Sequence, residues 1–217
     1  DSHAWSWMRL RRSASSACTV RLLHAAGTPR PSLDGVMAGL LCGASAASLA
    51  VLPAGRRGLT GSYQLDALPV TSWLFDPIPA LDATHWSLLA GSRRLSYAEL
   101  AAHSDRVRAV IDCTGGWYSE QEWEGVWLSK LLPASELAGA FSISVRSATG
   151  YPRRFDVADL SGLLLATRVG GADLAPGNGY PVRLVAPGKR GFWWVKWVVE
   201  LRSEPAPWWW QSPYPLQ

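Results

Sequence analysis

From Gly61 onward the chain alternates short strand-like apolar runs with turn residues and a few modest helical stretches, the texture of an α+β domain. Leu68–Phe75 is β-branched and aromatic, and it predicts an extended segment stopped by Pro77 and Pro79. Ser96 followed three residues on by Glu99 is a capping-box pattern, which predicts a helix over Ser96–Arg108 with Leu100 and Val107 on one face. Ala109–Asp112 reads as a short buried strand that delivers Cys113 to a Gly–Gly turn. Glu122–Leu132 holds a helical turn or two, Phe141–Arg146 alternates as a strand, and Pro152–Phe155 leads into a helix-like Asp156–Thr167. Pro181–Pro187 and Phe192–Leu201 read as strands joined by the turn Gly188–Gly191. The Pro- and Trp-rich tail, residues 205–217, is irregular and expected to lie against the domain through Trp208–Trp210.

Before Gly61 the pattern changes. Residues 1–33 carry no sustained period and read as a poorly ordered lead-in. Val36–Leu52 carries no charge and is bounded by Asp34 and by Arg56–Arg57, near the lower limit of roughly 17–25 residues for a bilayer span. Its Gly and Ala suit close helix packing. It reads equally as a buried soluble helix or as the apolar part of an export signal. The expected organisation is a basic lead-in over 1–60 with a possible transmembrane helix at 36–52, a domain over 61–204, and the tail.

Charge follows the same boundary. Residues 1–60 hold seven Arg against two Asp, whereas residues 61–217 hold fourteen Lys and Arg against fifteen Asp and Glu. The net charge of +4 therefore comes from the lead-in, and the nearly neutral domain lacks the basic stripe that nucleic-acid binding requires. Cys18, Cys42 and Cys113 show neither a CxxC spacing nor a His cluster, which argues against zinc and against a disulfide framework. Thirteen tryptophans point to a large rigid core or a cofactor pocket, because buried indoles need partners for their N–H groups.

Two stretches carry candidate chemistry. In IDCTGGW the glycines let backbone crowd close to whatever the Cys113 sulfur meets, and a thiolate there favours a soft or high-valent metal. A small buried cysteine and a cysteine nucleophile are the competing readings, although His3, His24, His85 and His103 offer no evident activating partner. In GNGYPVRLVAPGKRGFWWVKWVVEL, Arg183, Lys189, Arg190 and Lys196 punctuate apolar strands and a Gly-bounded turn. Such a pattern can surround an anion with cations and backbone N–H groups, or can be a hairpin with solvated charges.

The order CTGGW, WEGVWLSKLL, GYPRRF, LLAT, GNGYPVRLVAPGKRGFWWVKW resembles the molybdopterin domain of the sulfite oxidase family, over roughly Tyr63 to Leu201. The resemblance implies a β-rich α+β fold and a molybdenum-molybdopterin cofactor, with Cys113 as the catalytic residue and molybdenum ligand. It places Arg183 and Lys196 against the pterin and its phosphate, with the Gly191–Lys196 backbone, including Trp194, lining the pocket. Asn178 stands where the family usually has His, and its amide can still donate and accept. Thr71 and Ser72, in PVTSWLFD, stand where relatives carry an Asn or an Arg-Asn-His contact to the pterin, which they replace only in part. Tyr151, Arg153 and Arg154, which follow Gly150, read either as approaching the substrate mouth or as a solvated turn. Trp117, four residues after the cysteine, is closer to the exported bacterial reductases for protein methionine sulfoxide than to true sulfite oxidases, whose Asn-Arg-Arg is missing here. RRGLTGSY after an apolar segment is similar to membrane-attached members. Implied partners are a small-molecule or protein sulfoxide-type substrate and a separate electron-transfer protein, with the domain attached to a membrane on its extracytoplasmic side. The alternatives are a catalytically impaired binding module of the same fold and a cysteine-dependent hydrolase.

Overall fold

Alternating burial along eleven short strands builds two β-sheets among residues 57–71 and 77–212, the part of the chain that the computed structural model describes. Val36–Leu52, Cys18, Cys42 and Ser72 lie outside the described residues. No helix among the described residues is long and apolar enough to cross a membrane. The expected β-rich α+β fold is observed.

The first sheet is organised by one long strand, β5 (Trp117–Trp127). Along one edge it pairs antiparallel with β4 (Asp105–Asp112), from Asp105↔Gly125 to Asp112↔Tyr118. Along the other it pairs parallel with β1 (Tyr63–Gln64) and antiparallel with β8 (Leu164–Val169), which continues to β9 (Ala172–Asp173) and β10 (Arg183–Val185). Gly125 is required where β5 meets β8, because a Cβ there would collide with the backbone of Leu165. The second sheet has the order β3 (Arg93–Ser96), β2 (Ser87–Ala90), β11 (Val198–Glu204), β6 (Ser142–Ser147), β7 (Pro152–Asp156). Inward residues of both sheets, among them Leu88, Val126, Val145, Leu164 and Leu201, share one apolar core. The tail returns over β7. Arg153 donates to Ser212 O at 2.7 Å and Arg154 to Trp210 O at 2.8 Å, while Trp208 meets Trp193 edge-on at 6.3 Å. Trp209 and Trp210 face solvent, so only Trp208 fulfils the expected role in holding the tail.

Several local expectations are corrected. The helix expected over Ser96–Arg108 is a single turn, α1 (Tyr97–Ala101), which has the expected capping box. From Asp105 the burial alternates with period two and the chain extends, because Arg106 and Arg108 reach across the ladder to Glu122, Glu124 and Glu120 on β5. Asp156–Thr167 is a 3-10 segment, Val157–Gly162, followed by β8. The Leu163–Ala166 run is buried throughout, and a period-free apolar run does not distinguish strand from helix. Leu68–Thr71 is not a strand, and residues 72–76 lie outside the described residues. Over Glu122–Leu132 the chain stays in β5 to Trp127 before one helical turn, Leu128–Leu131. Phe192–Leu201 divides into a 3-10 turn, Gly191–Trp193, an irregular stretch, and β11 from Val198.

Candidate functional site

Cys113 is the first residue beyond β4. Its N–H donates to Trp117 O at 2.8 Å, and its carbonyl accepts from Gly116 N–H at 3.1 Å, so Cys113–Gly116 forms a closed turn between β4 and β5. Gly116 has φ +85°, a left-handed conformation that a side chain would strain. The turn aims the thiol at backbone donors, and Gly115 N–H lies 3.3 Å from Cys113 Sγ. Thr71 Oγ1 approaches the same sulfur at 3.9 Å.

The facing wall comes from the C-terminal third of the chain. Leu184 N–H donates to Val195 O at 2.8 Å and Val198 N–H to Val182 O at 3.0 Å, which ties β10 to the irregular stretch before β11. Trp197 takes φ +53°, an uncommon conformation for a bulky residue, and its indole donates to Pro176 O at 2.8 Å. Lys196 Nζ donates to Thr71 O at 2.5 Å and Gly177 O at 2.7 Å, bracing two loops. Gly191 packs directly on the cysteine turn: a Cβ there would lie 3.0 Å from Cys113 Cα and 3.1 Å from Asp112 O.

These walls enclose a cavity of about 540 Å³, lined by Cys113 together with Thr71, Trp117, Arg183, Gly191, Trp194 and Lys196 among others. That volume falls in the usual range for small-molecule and cofactor sites, about 300–1,000 Å³. Its electrostatics are dominated by Arg183, which is 4% exposed. The guanidinium sits over the rings of Trp123 and Trp194 at 5.6 and 5.9 Å, and donates to Asn178 O at 3.1 Å. Among the described residues no carboxylate pairs with it, and its Nε has no acceptor. Burial lowers its pKa to about 10, and the electrostatic influence of neighbouring Cys113 opposes that shift in part. The Trp117 Nε1 and Asn178 Oδ1 atoms are likewise buried without a partner among the described residues.

Of the residues expected from sequence, Thr71, Cys113, Arg183, Gly191, Trp194 and Lys196 are brought together on the cavity wall, with Trp117 and Tyr151 beside them. Asn178 is buried behind Arg183, and its Nδ2 reaches Leu68 O only at 3.5 Å. Arg153 and Arg154 do not line this cavity. Arg153 is buried under the Tyr151, Phe192 and Trp193 rings, and Arg154 borders a second, more polar hollow. Of the four cations in the glycine-bounded segment only two face the cavity. Lys189 lies over Trp193 and Trp208, and Arg190 pairs with Asp112 at 3.3 Å. Sequence reasoning missed Ser147 and Thr149 on the rim and the buried carboxylate of Asp112. The last had a signal, a lone acidic residue closing an apolar run beside the cysteine.

The model of the oxidoreductase molybdopterin-binding domain matches residues 76–210. The chain belongs to this family. The fold of this molybdopterin-binding domain is similar to that in the crystal structure of the sulfane dehydrogenase SoxCD from Paracoccus pantotrophus, at 24% identity and a TM-score of 0.55. The match covers 59% of this chain and 40% of that one, so the chain spans well under half the length of its structural neighbour. A comparison with curated proteins gave no match.

The residues present fit the family's cofactor. A buried guanidinium without a carboxylate is costly unless an anion completes it, and a phosphorylated pterin is such an anion. The unpartnered Trp117 Nε1 supplies a further polar group at the same wall. Among the described residues no three His, Cys, Asp or Glu converge to hold a metal ion. A metal on Cys113 would take further donors from the group that carries it, and the soft donors of a pterin dithiolene match the thiolate.

Proposed function

We propose that this chain is the catalytic domain of a molybdenum-dependent oxidoreductase that moves an oxygen atom to or from a neutral substrate of the sulfoxide or thioether type. The observation that carries the proposal is the placement of the Cys113 thiol in a cavity opposite a buried arginine that has no carboxylate partner among the described residues. When bound, the molybdenum-molybdopterin group supplies two-electron oxygen-atom transfer, the step that the side chains themselves cannot perform.

The residues of the chain then have distinct roles. Cys113 would be the metal ligand, its sulfur held by the closed turn and by Gly115 N–H. Arg183 would meet the anionic part of the cofactor, and Lys196 would hold the Thr71 and Gly177 loops at the spacing the cofactor needs. Trp117 and Trp194 would shape the pocket around the pterin.

Thr114, Ser147, Thr149, Tyr151 and Phe192 also line the cavity, and none carries a charge at neutral pH. Tyr151 stays protonated, because burial raises its pKa more strongly than neighbouring Arg153 lowers it. With both cavity cations committed to cofactor and loops, an uncharged substrate suits this rim better than an anion such as sulfite. Reduction of a sulfoxide balances as R2SO plus two electrons and two protons giving R2S and water. The electrons come from a separate protein partner. This reading agrees with the sequence likeness to the exported methionine sulfoxide reductase branch and with a membrane-attached, extracytoplasmic domain anchored through Val36–Leu52.

Molybdenum and pterin analysis of the purified protein tests the proposal. The wild type should carry both in stoichiometric amounts, and Cys113→Ser should lose the metal. Equal metal in both forms would refute the ligand assignment. For the anchor, a protein beginning near Arg57 should purify without detergent while the full chain needs it.

A further inference from the structure

Asp112 is the final residue of β4, next to Cys113, and only 5% exposed. Neighbouring side chains on a strand point to opposite sides. Cys113 lines the cavity; Asp112 does not, and it turns instead into a cluster of donors. Its Oδ1 accepts from Ser62 Oγ at 2.7 Å and meets Arg190 Nη1 at 3.3 Å. Its Oδ2 accepts from Thr60 Oγ1 at 2.9 Å and from Arg57 Nη1 at 3.3 Å. These four contacts fill the roughly four acceptor sites of an ionised carboxylate.

The donors come from two distant parts of the chain. Arg57, Thr60 and Ser62 precede β1, which pairs with Trp117 at the far side of the cysteine turn. Arg190 belongs to the opposite cavity wall, bridges to Asp112 through backbone, and places Nη2 3.5 Å from Cys113 O. The next residue, Gly191, packs against Cys113 Cα. A buried charge is a poor device for stability alone, since apolar residues of equal volume usually serve as well. A fully satisfied polar network can instead fix one geometry.

We propose that Asp112 is a positioning residue for the Cys113 thiolate. It locks the cysteine turn against the Arg190–Gly191 turn and recruits the segment Arg57–Ser62 as a third tie, so that both walls of the cavity keep one register. The inference rests on the proposed role of Cys113, and it extends the site to residues that never touch the cavity.

Two readouts on the full-length protein test it: hydrogen exchange resolved to the two turns, and molybdenum content. In Asp112→Asn, exchange should rise together at Thr114–Gly116 and Lys189–Gly191, with β6 and β11 unchanged. Molybdenum affinity should fall roughly tenfold or more, the usual effect of losing a residue that orients a metal ligand. Wild-type exchange in both turns, or a uniform rise across both sheets, would overturn the proposal, the latter because it marks a purely structural role. If Asp112→Asn fails to fold, Arg190→Gln carries the test, since the carboxylate keeps Ser62, Thr60 and Arg57. It should loosen both turns, and leaving them unchanged would overturn the proposal. The exchange readout needs no cofactor, so a wild type without molybdenum would sink the proposed function and still leave Asp112 decided.

Discussion

The Arg183 guanidinium lies 5.9 Å over the indole of Trp194, and no carboxylate among the described residues neutralises it. Its pKa is depressed to about 10 by burial, so the protonated form weakens the cofactor-free fold by a constant amount at every pH below that value and is relieved only above it. Replacement by an apolar residue of similar length removes that penalty. Arg183→Met should therefore leave the cofactor-free protein as stable as wild type, or more stable by about 1–2 kcal/mol, in urea unfolding. The same variant should purify with little pterin. A strong loss of stability without the cofactor would show that the cation is satisfied by the protein alone.

Two glycines of the site separate backbone strain from close packing. Gly116 has φ +85° and nothing near its missing Cβ, whereas Gly191 is crowded by the Cys113 and Asp112 backbone. Gly116→Ala should cost about 1–2 kcal/mol from the left-handed conformation and retain molybdenum. Gly191→Ala should cost about 1–3 kcal/mol and lose molybdenum as well, because the cysteine backbone must move to admit the methyl group. Thermal unfolding with metal analysis on both variants checks the contrast. Equal metal loss would mean that the turn conformation, rather than the contact, controls the site.

Those glycines also show what the sequence could reveal. The Gly–Gly pair after Cys113 is readable as a tight turn because it is local, and so were the cap at Ser96 and the strand at β6. Arg183, Lys196 and Cys113 were legible through the order of their motifs, which spacing alone leaves ambiguous. What remained hidden depends on distant partners. Asp105–Arg108 reads as the end of a helix until Glu120, Glu122 and Glu124 are placed opposite Arg106 and Arg108. Asp112 reads as a strand end until Ser62, Thr60, Arg57 and Arg190 converge on it. Lys196 was expected to face phosphate, and its bond to Thr71 O exists only because the fold carries Thr71 to it.

That brace has a measurable weight. Lys196 Nζ donates to the carbonyls of Thr71 and Gly177, joining segments far apart in sequence. Hydrogen bonds to a charged group contribute about 1.5–3 kcal/mol each. Lys196→Met keeps much of the stem and removes both, so it should lower unfolding stability by about 3 kcal/mol or more. Proteolysis should begin near Pro69–Thr71 in the variant before it begins elsewhere. An unchanged cleavage pattern would mean that the Thr71 loop is held by other contacts.

The acid response of the first sheet should depend on Glu124. Its carboxylate lies 2.9 Å from Arg168 on β8 and 2.8 Å from Arg106 on β4, joining three strands. The hydrogen bond from Arg168, with Arg106 behind it, lowers its pKa from the ordinary 4.5. A carboxyl whose folded pKa is depressed adds stability above its unfolded pKa and loses it as pH falls through the folded one. Glu124→Gln should therefore melt below wild type at neutral pH, and the two should converge as the pH falls below 4.5 and through the depressed pKa of the wild-type carboxyl. Melting curves of both proteins across that range check this. A gap that stays constant into acid would assign the effect to packing of the side chain rather than to its charge.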